Sequence, residues 1–117
     1  MFSGHSKIVE LLVNSGVDIN KKLDDEFYLM HKASENNRLE IVDLLLKNGA
    51  VVDPVGAYGL TPLMLACYHG YMEIVQLLVA NGADVNKKSF SGETPLSNAL
   101  QKNHQDIITF LKSKGAR

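Results

Sequence analysis

Four glycines recur at an interval of 33 residues, and this interval constrains the fold more than any other feature of the sequence. Each of them ends a copy of one apolar pattern, at Gly16, Gly49, Gly82 and Gly115. Three columns of that pattern are Ile8, Ile41, Ile74 and Ile107, then Val9, Val42, Val75 and Ile108, then Leu12, Leu45, Leu78 and Leu111. A fixed period of this length is typical of a stacked solenoid, in which each unit buries its apolar face against its neighbours.

The third copy of the pattern shows the parts of one unit most clearly. Thr61 followed by Pro62 favours a helix start, because threonine caps free N–H groups and proline costs nothing at the first helical position. Gly70 predicts a tight turn, and a second helix with an apolar stripe is predicted at about 71–80, before Gly82. The polar, glycine-containing segment that follows suits a hairpin-like finger. Each unit is therefore predicted to contain a finger, a helix, a turn and a helix.

Two kinds of motif carry a resemblance to a known family. Thr-Pro-Leu-Met-Leu-Ala begins at Thr61 and Thr-Pro-Leu-Ser-Asn-Ala at Thr94, while the endings Gly-Val-Asp-Ile-Asn and Gly-Ala-Asp-Val-Asn begin at Gly16 and Gly82. The chain closely resembles the ankyrin repeat family over its whole length. The resemblance implies an all-α fold, an ankyrin-repeat solenoid of stacked antiparallel helix pairs with hairpin-like finger loops and about seven helices.

A single ankyrin-repeat domain is predicted over residues 1–117. Its parts are a truncated first repeat at 1–20, a second repeat at 21–53, a third at 54–86 and a C-terminal, cap-like fourth at 87–117. The fourth resembles a cap because Ser97, Asn98 and Gln101 enter its first helix. The second lacks both Thr and Pro at its cap and is predicted to be the irregular unit.

The first repeat begins at the end of its expected first helix, so its second helix, at about 5–14, lacks a partner. Ile8, Leu11 and Leu12 are then left uncovered on one side. Two interpretations remain open: the chain is part of a longer array, or it self-associates through these three side chains.

Composition argues against several classes of partner. The 12 basic residues nearly balance the 13 acidic ones, so no bulk positive field favours nucleic acid or an anionic membrane. No apolar run is long enough to span a bilayer. The single cysteine, Cys67, suits a reducing compartment. These observations predict a location inside the cell, in the cytoplasm, with the nucleus as an alternative.

The sequence offers no set of residues for catalysis. The four histidines do not pair with cysteine or carboxylates at metal-ligand spacing, and Cys67 occupies a small-residue packing column. The resemblance implies that His31 ties neighbouring loops by hydrogen bonds. We therefore expect no enzymatic activity, no metal and no cofactor.

The resemblance also implies a binding site. In ankyrin proteins, residues at the finger tips, before Thr-Pro and at the end of the first helix face a groove and vary with the partner. The predicted partner-binding residues in these columns are Lys22, Asp24, Asp25, Phe27, Val55, Tyr58, Leu60, Tyr68, His69, Lys88, Phe90, Glu93, Gln101 and Lys102. Glu35, Asn36, Ala57 and Ser91 fall in the same columns. The larger apolar residues of this predicted site are expected to form a strip along one face. They are Phe27, Tyr58, Leu60, Tyr68 and Phe90.

The predicted function is a non-enzymatic protein-protein interaction module that binds a partner protein or peptide through this groove. A second interpretation makes the chain a scaffold or targeting segment of a larger enzyme or channel protein. A third makes it an assembly module that self-associates through the exposed N-terminal helix.

Overall fold

Six α-helices form three pairs in residues 28–117, the part of the chain that the computed structural model describes. They are α1 (Leu29–Glu35), α2 (Leu39–Lys47), α3 (Pro62–His69), α4 (Met72–Ala80), α5 (Pro95–Gln101) and α6 (Gln105–Ser113), with a short 3₁₀ turn at Ala57–Gly59 before α3. The described part contains no β-strand, and the all-α prediction is confirmed. The predicted helix at about 5–14, with Ile8, Leu11 and Leu12, lies outside the described residues.

The helices stack in two layers. The first helices of the pairs, α1, α3 and α5, contact one another in chain order, and the second helices, α2, α4 and α6, do the same. Contacts between first helices are more extensive than those between second helices. The arrangement is the predicted solenoid, in which each helix pair is covered by the next.

The core consists of the columns that define the sequence repeat. The side chains of Ile41, Ile74, Ile107, Val42, Val75, Ile108, Leu45, Leu78 and Leu111 are all buried. Each fully buried aliphatic side chain of this kind contributes about 1.5–3 kcal/mol relative to an exposed one. The apolar register read from the glycines is therefore the hydrophobic core of the solenoid.

The helix starts follow the predicted capping chemistry in two of the three pairs. Thr61 Oγ1 accepts the Met64 N–H at 3.3 Å, and Thr94 Oγ1 accepts the Ser97 N–H at 3.1 Å. The Ser97 hydroxyl oxygen accepts the Thr94 N–H in return, at 2.9 Å, which completes a capping box. These bonds fix where α3 and α5 begin, and with them the finger residues just before each helix.

The first helix of the second repeat uses a histidine in place of a threonine cap. His31 is fully buried, and its Nε2 lies 2.8 Å from the Leu60 carbonyl oxygen in the next repeat. A carbonyl can only accept, so Nε2 carries the hydrogen, and Nδ1 is free to accept the Tyr28 N–H at 3.1 Å. The imidazole therefore caps α1 and ties it to the third repeat, as the resemblance implied.

A left-handed backbone residue closes the turn within each helix pair. The positions are Asn37 (φ 58°), Gly70 (φ 83°) and Asn103 (φ 57°), which are spaced at the repeat interval. Asparagine tolerates this conformation, but Gly70 has a second constraint. A Cβ on Gly70 would lie 2.6 Å from Cε1 of His104, whose Nε2 donates to the Tyr68 carbonyl at 3.0 Å. This contact joins the third and fourth repeats.

The last column of the repeat joins the segments that follow the second helices of neighbouring repeats, and its two described copies differ. Asn86 Oδ1 accepts the Arg117 N–H at 3.0 Å, and its Nδ2 donates to the Gly115 carbonyl at 3.1 Å. One repeat earlier, Asp53 Oδ2 accepts the Asp84 N–H at 2.8 Å, but its buried Oδ1 has no partner among the described residues. Burial raises the pKa of Asp53 above its ordinary value of 3.8, and the Asp84 charge adds to the rise, while the Asp84 N–H and Lys87 oppose it.

We predict that His31→Ala lowers the free energy of unfolding by roughly 2–4 kcal/mol, because it removes two hydrogen bonds of a fully buried side chain and leaves a cavity. Urea unfolding followed by circular dichroism measures the change. Gln76→Ala serves as the control, since Gln76 is exposed on α4, and should alter stability by no more than about 0.5 kcal/mol. Equal stability of the two variants would contradict a structural role for the His31 imidazole.

We also predict that Asp53→Asn stabilises the chain at about pH 7 by roughly 0.5–2 kcal/mol, because the amide keeps the bond to Asp84 without a charge to bury. A raised pKa in the folded state means that ionised Asp53 costs stability above that pKa, and that this cost disappears as the pH falls towards 3.8. The gain should therefore shrink at about pH 3.5, where the native carboxyl is protonated.

Urea unfolding at both pH values measures this difference. The matched control is Asp43→Asn, which removes an exposed ion pair with Lys47 and should give no gain at either pH. A gain from Asp53→Asn that is the same at both pH values would contradict the role assigned to the charge.

Candidate partner-binding groove

Two adjacent fingers stand side by side in the described part of the chain. The Gly56 N–H donates to the Leu60 carbonyl at 2.9 Å, and the Ser89 N–H donates to the Glu93 carbonyl at 2.8 Å, so that each finger turns back on itself. The Phe90 N–H donates to the Tyr58 carbonyl at 2.9 Å and joins the two fingers. These bonds give the hairpin-like shape that the sequence predicts, and they hold the finger tips in register.

Tyr58 has an unusual backbone at the tip of the first of these fingers. Its φ is 60° and its ψ 13°, which is the left-handed region, and its side chain is 72% exposed. A non-glycine residue in that region costs on the order of 1–2 kcal/mol. The next residue, Gly59, also has a positive φ of 75°, and a Cβ on it would lie 2.6 Å from the Phe90 ring. The tip thus presents a tyrosine in a conformation that glycine or asparagine would adopt more easily.

A groove of about 380 Å³ lies between the fingers and the ends of the first helices. It spans the second, third and fourth repeats, because α1, α3, α5 and both fingers contribute to its walls. Its volume falls within the range of pockets that hold a small ligand or a few side chains. The residues that line it are Glu35, Tyr58, Leu60, Met64, Leu65, Tyr68, His69, Glu93 and Asn98.

The structure brings together some of the predicted partner-binding residues and leaves others apart. Tyr58, Leu60, Tyr68, His69 and Glu93 line the groove. Those that are described and do not line it are Val55, Lys88, Phe90, Gln101 and Lys102, all of them exposed. Four more, Lys22, Asp24, Asp25 and Phe27, lie outside the described residues.

The predicted apolar strip is therefore seen only in its middle section. Tyr58, Leu60 and Tyr68 share the groove, whereas Phe90 is 80% exposed and lies over Gly59 at the finger tips. Phe27 belongs to the residues that the structure does not describe. The Phe90 ring packs on the neighbouring finger and does not line the groove.

Sequence reasoning missed three residues of the groove: Met64, Leu65 and Asn98. Leu65 and Asn98 occupy equivalent positions, one repeat apart, on α3 and α5. The sequence suggested that Asn98 was one of several polar residues of a terminal cap, yet its side chain is only 3% exposed. The signal was a polar residue in a column that holds leucine in the preceding repeat.

The polar groups of the groove form a short network. Asn98 Nδ2 donates to Glu93 Oε1 at 2.7 Å, and the Ser91 hydroxyl donates to Glu93 Oε2 at 3.2 Å. Asn98 Oδ1 is buried and has no hydrogen-bond partner among the described residues. Neither Glu35 nor Glu93 forms a salt bridge within residues 28–117. The groove therefore offers acceptors and negative charge.

The aromatic side chains at the end of α3 lie close together. The ring centroids of Tyr68 and His69 are 5.2 Å apart in an edge-to-face arrangement, and His69 stacks on Tyr71 at 5.5 Å. Lys102 Nζ lies 5.1 Å from the centroid of the Tyr68 ring, within the range of a cation–π contact. This end of the groove already places a cation on a tyrosine face.

The described residues hold little that resembles a reactive centre. Cys67 is fully buried, and burial raises the pKa of its thiol to about 12, so that the nucleophilic thiolate is scarce at neutral pH. Within residues 28–117, no three His, Cys, Asp or Glu side chains lie close enough together to bind a metal ion. Among the helices of that same part of the chain, none is both long and apolar enough to cross a membrane.

Comparison with known proteins gives several similar sequences of much greater length. The chain is 41% identical over 64 residues to the palmitoyltransferase Hip14 of Drosophila melanogaster, a match that covers 54% of the chain and 10% of that protein. It is 33% identical over 70 residues to a fem-1 homolog A-like protein of Mus musculus, covering 60% and 11%, respectively. It is 42% identical over 48 residues to the E3 ubiquitin-protein ligase XB3 of Oryza sativa subsp. japonica, covering 41% and 11%.

The family model that describes three copies of the ankyrin repeat matches residues 1–89 and 59–117, which together include the entire sequence. Ankyrin repeats are in general non-catalytic segments that mediate protein interactions. The helix pairs, fingers and buried columns of residues 28–117 agree with this match. The chain belongs to the ankyrin repeat family.

Proposed function

We propose that the chain is a non-enzymatic interaction module that binds a partner protein or peptide in the groove between the fingers and the first helices. The groove has a volume of about 380 Å³ and spans three repeats. Its walls combine apolar surface from Leu60, Met64 and Leu65 with a few polar groups. This combination is typical of sites that bind a ligand with defined orientation.

The observation that carries the proposal is the conformation of Tyr58. A large aromatic side chain is held 72% exposed at the groove, on a left-handed backbone that costs free energy. Neither the core nor a described hydrogen bond of its phenol accounts for a tyrosine at this position. A partner that packs against the ring would account for it, because exposed aromatic residues at a groove are frequent binding hot spots.

Tyr68 supplies a second aromatic anchor in the same groove. It is half-buried at the end of α3, and its backbone carbonyl is held by the His104 imidazole. The backbone that carries the ring is therefore fixed before any partner binds, and the ring itself packs edge-to-face on His69. Pre-organised aromatic side chains lose little conformational entropy on binding, which favours affinity.

A second candidate function places this module inside a longer protein. The matched segments cover only 10% or 11% of the palmitoyltransferase, fem-1-like and ubiquitin-ligase relatives. In that setting the module would be a scaffold or targeting segment, and its groove would bring a partner to another part of the protein. Self-association through Ile8, Leu11 and Leu12 stays a prediction from the sequence, since these residues lie outside the described part.

The test uses peptides selected on the folded chain from a displayed random library. We predict that Tyr58→Asn and Tyr68→Ala each weaken binding of the selected peptides by more than about 1 kcal/mol, or about fivefold, in isothermal titration calorimetry. Tyr58→Asn should at the same time leave the fold as stable as before or make it more stable, because asparagine accepts the left-handed backbone.

Gln76→Ala on α4 is the control, because Gln76 is exposed and does not line the groove. It should leave the affinity unchanged. The proposal fails if no selected peptide depends on Tyr58 or Tyr68, or if the Gln76 variant loses as much affinity as the tyrosine variants.

A further inference from the structure

We propose that the groove recognises an arginine side chain of the partner protein, and this inference rests on the proposed function of the groove as a protein-binding site. Three properties of the lining point to a cationic, planar group with several donors. They are the sign of its charge, an acceptor without a donor, and the exposed tyrosine faces.

Among residues 28–117, the charge of the lining is negative, although the chain as a whole is nearly neutral. Glu35 and Glu93 contribute carboxylates from the second and fourth repeats, while no lysine or arginine of the described residues lines the groove. Neither carboxylate is paired with a cation in residues 28–117. Two unpaired carboxylates around one concave surface favour a positively charged group and disfavour an acidic one.

Asn98 supplies an acceptor that lacks a donor. Glu93 Oε1 can only accept while ionised, so the amide nitrogen of Asn98 must be the atom that faces it at 2.7 Å. In this orientation, Oδ1 has no hydrogen-bond donor within residues 28–117. Asn98 lines the groove and is only 3% exposed. A buried acceptor without a partner costs free energy. Because the Oδ1 atom itself is buried, a donor of the bound partner recovers this energy when the Asn98 side chain turns towards the groove.

The tyrosines provide faces for the cation. The ammonium of Lys102 already lies 5.1 Å from the Tyr68 ring centroid, and Tyr58 exposes most of its ring at the same groove. Lys102 is exposed and does not line the groove, so it can leave the ring without opening a buried contact. A guanidinium stacks on an aromatic face more readily than an ammonium does.

Arginine fits this set of groups better than lysine. The Glu93 carboxylate has two adjacent oxygens, and each of them has acceptor capacity beyond its bond to Asn98 or Ser91. A guanidinium has five N–H donors in a rigid plane and can serve adjacent acceptors together, whereas an ammonium is a compact point charge. The apolar walls from Leu60 and Leu65 suit the neighbouring side chains of a peptide, so the proposed occupant is a protein segment.

The experiment begins with peptides selected on the folded chain whose binding is weakened by Tyr58→Asn. Each arginine in the tightest of them is replaced in turn by citrulline, which has nearly the same shape without the charge, and by lysine. We expect one position at which citrulline weakens binding at least about tenfold and lysine weakens it several-fold. Titration calorimetry measures each affinity.

Variants of the groove test the same contact from the other side. Glu93→Gln keeps an oxygen that can accept the Asn98 amide hydrogen, and Glu35→Gln alters an edge of the groove. Each is expected to weaken the peptide at least about threefold and to reduce the effect of citrulline. The matched control is Glu73→Gln, an exposed carboxylate on α4, which should leave affinity unchanged. Thermal unfolding of every variant verifies the fold.

Lys102→Gln separates a basic partner from an acidic one. If the groove takes arginine, removing the competing ammonium from the Tyr68 face should leave binding equal or tighter. Weaker binding after this change would indicate an acidic partner and overturn the inference.

The remaining outcomes are also decisive. Peptides that depend on Tyr58 but contain no arginine, or that bind equally well with citrulline or lysine, would overturn the arginine assignment and leave the proposed function in place. If no selected peptide depends on the groove, both the function and the inference fail.

Discussion

Burial of the isoleucine, valine and leucine columns between successive helix pairs is the interaction on which the rest of the structure depends. A single pair, such as α3 with α4, cannot cover both sides of its own apolar stripe. The buried positions Ile74, Val75 and Leu78 become a core only because the pairs before and after them contribute the same columns. The stability of such a stack is approximately the sum of the stabilities of its repeats and of the interfaces between neighbouring repeats. Each repeat is therefore held in place by the repeats beside it.

Polar contacts between repeats then fix what the apolar columns leave free. The His31 imidazole reaches Leu60, the His104 imidazole reaches Tyr68, and Asn86 reaches the C-terminal turn. Two of these contacts end on the backbone of residues that line the groove. Because they are side chain to backbone bonds across repeat boundaries, they position the fingers and helix ends independently of the side chains that face the groove. The exposed groove residues, such as Tyr58 and Glu93, are thus free to differ without loss of the fold.

The groove is also where the chain departs from its own local rules. Tyr58 adopts a backbone that suits glycine, and Asn98 brings a polar group into a column occupied by leucine one repeat earlier. Neither Glu35 nor Glu93 forms a salt bridge within the part of the chain that the structure describes. Proteins that are otherwise locally consistent tend to break such rules at functional sites. All of these departures meet in one concave surface, which supports a partner of definite chemistry. Asp53, whose buried Oδ1 has no partner among the described residues, lies away from the groove. Its hydrogen bond to the Asp84 N–H has a structural role.

The sequence by itself determined the family, the helix pairs, the capped starts at Thr61 and Thr94, and the buried columns, because each of these features recurs in the sequence at an interval of 33 residues. It also selected Tyr58, Leu60, Tyr68, His69 and Glu93, which share the groove. Only the tertiary structure decided that Phe90 lies over Gly59 and that Asn98 is buried beside Glu93. A repeat pattern states which columns face a surface, whereas the packing of single side chains across neighbouring fingers depends on three-dimensional contacts that occur once in the chain.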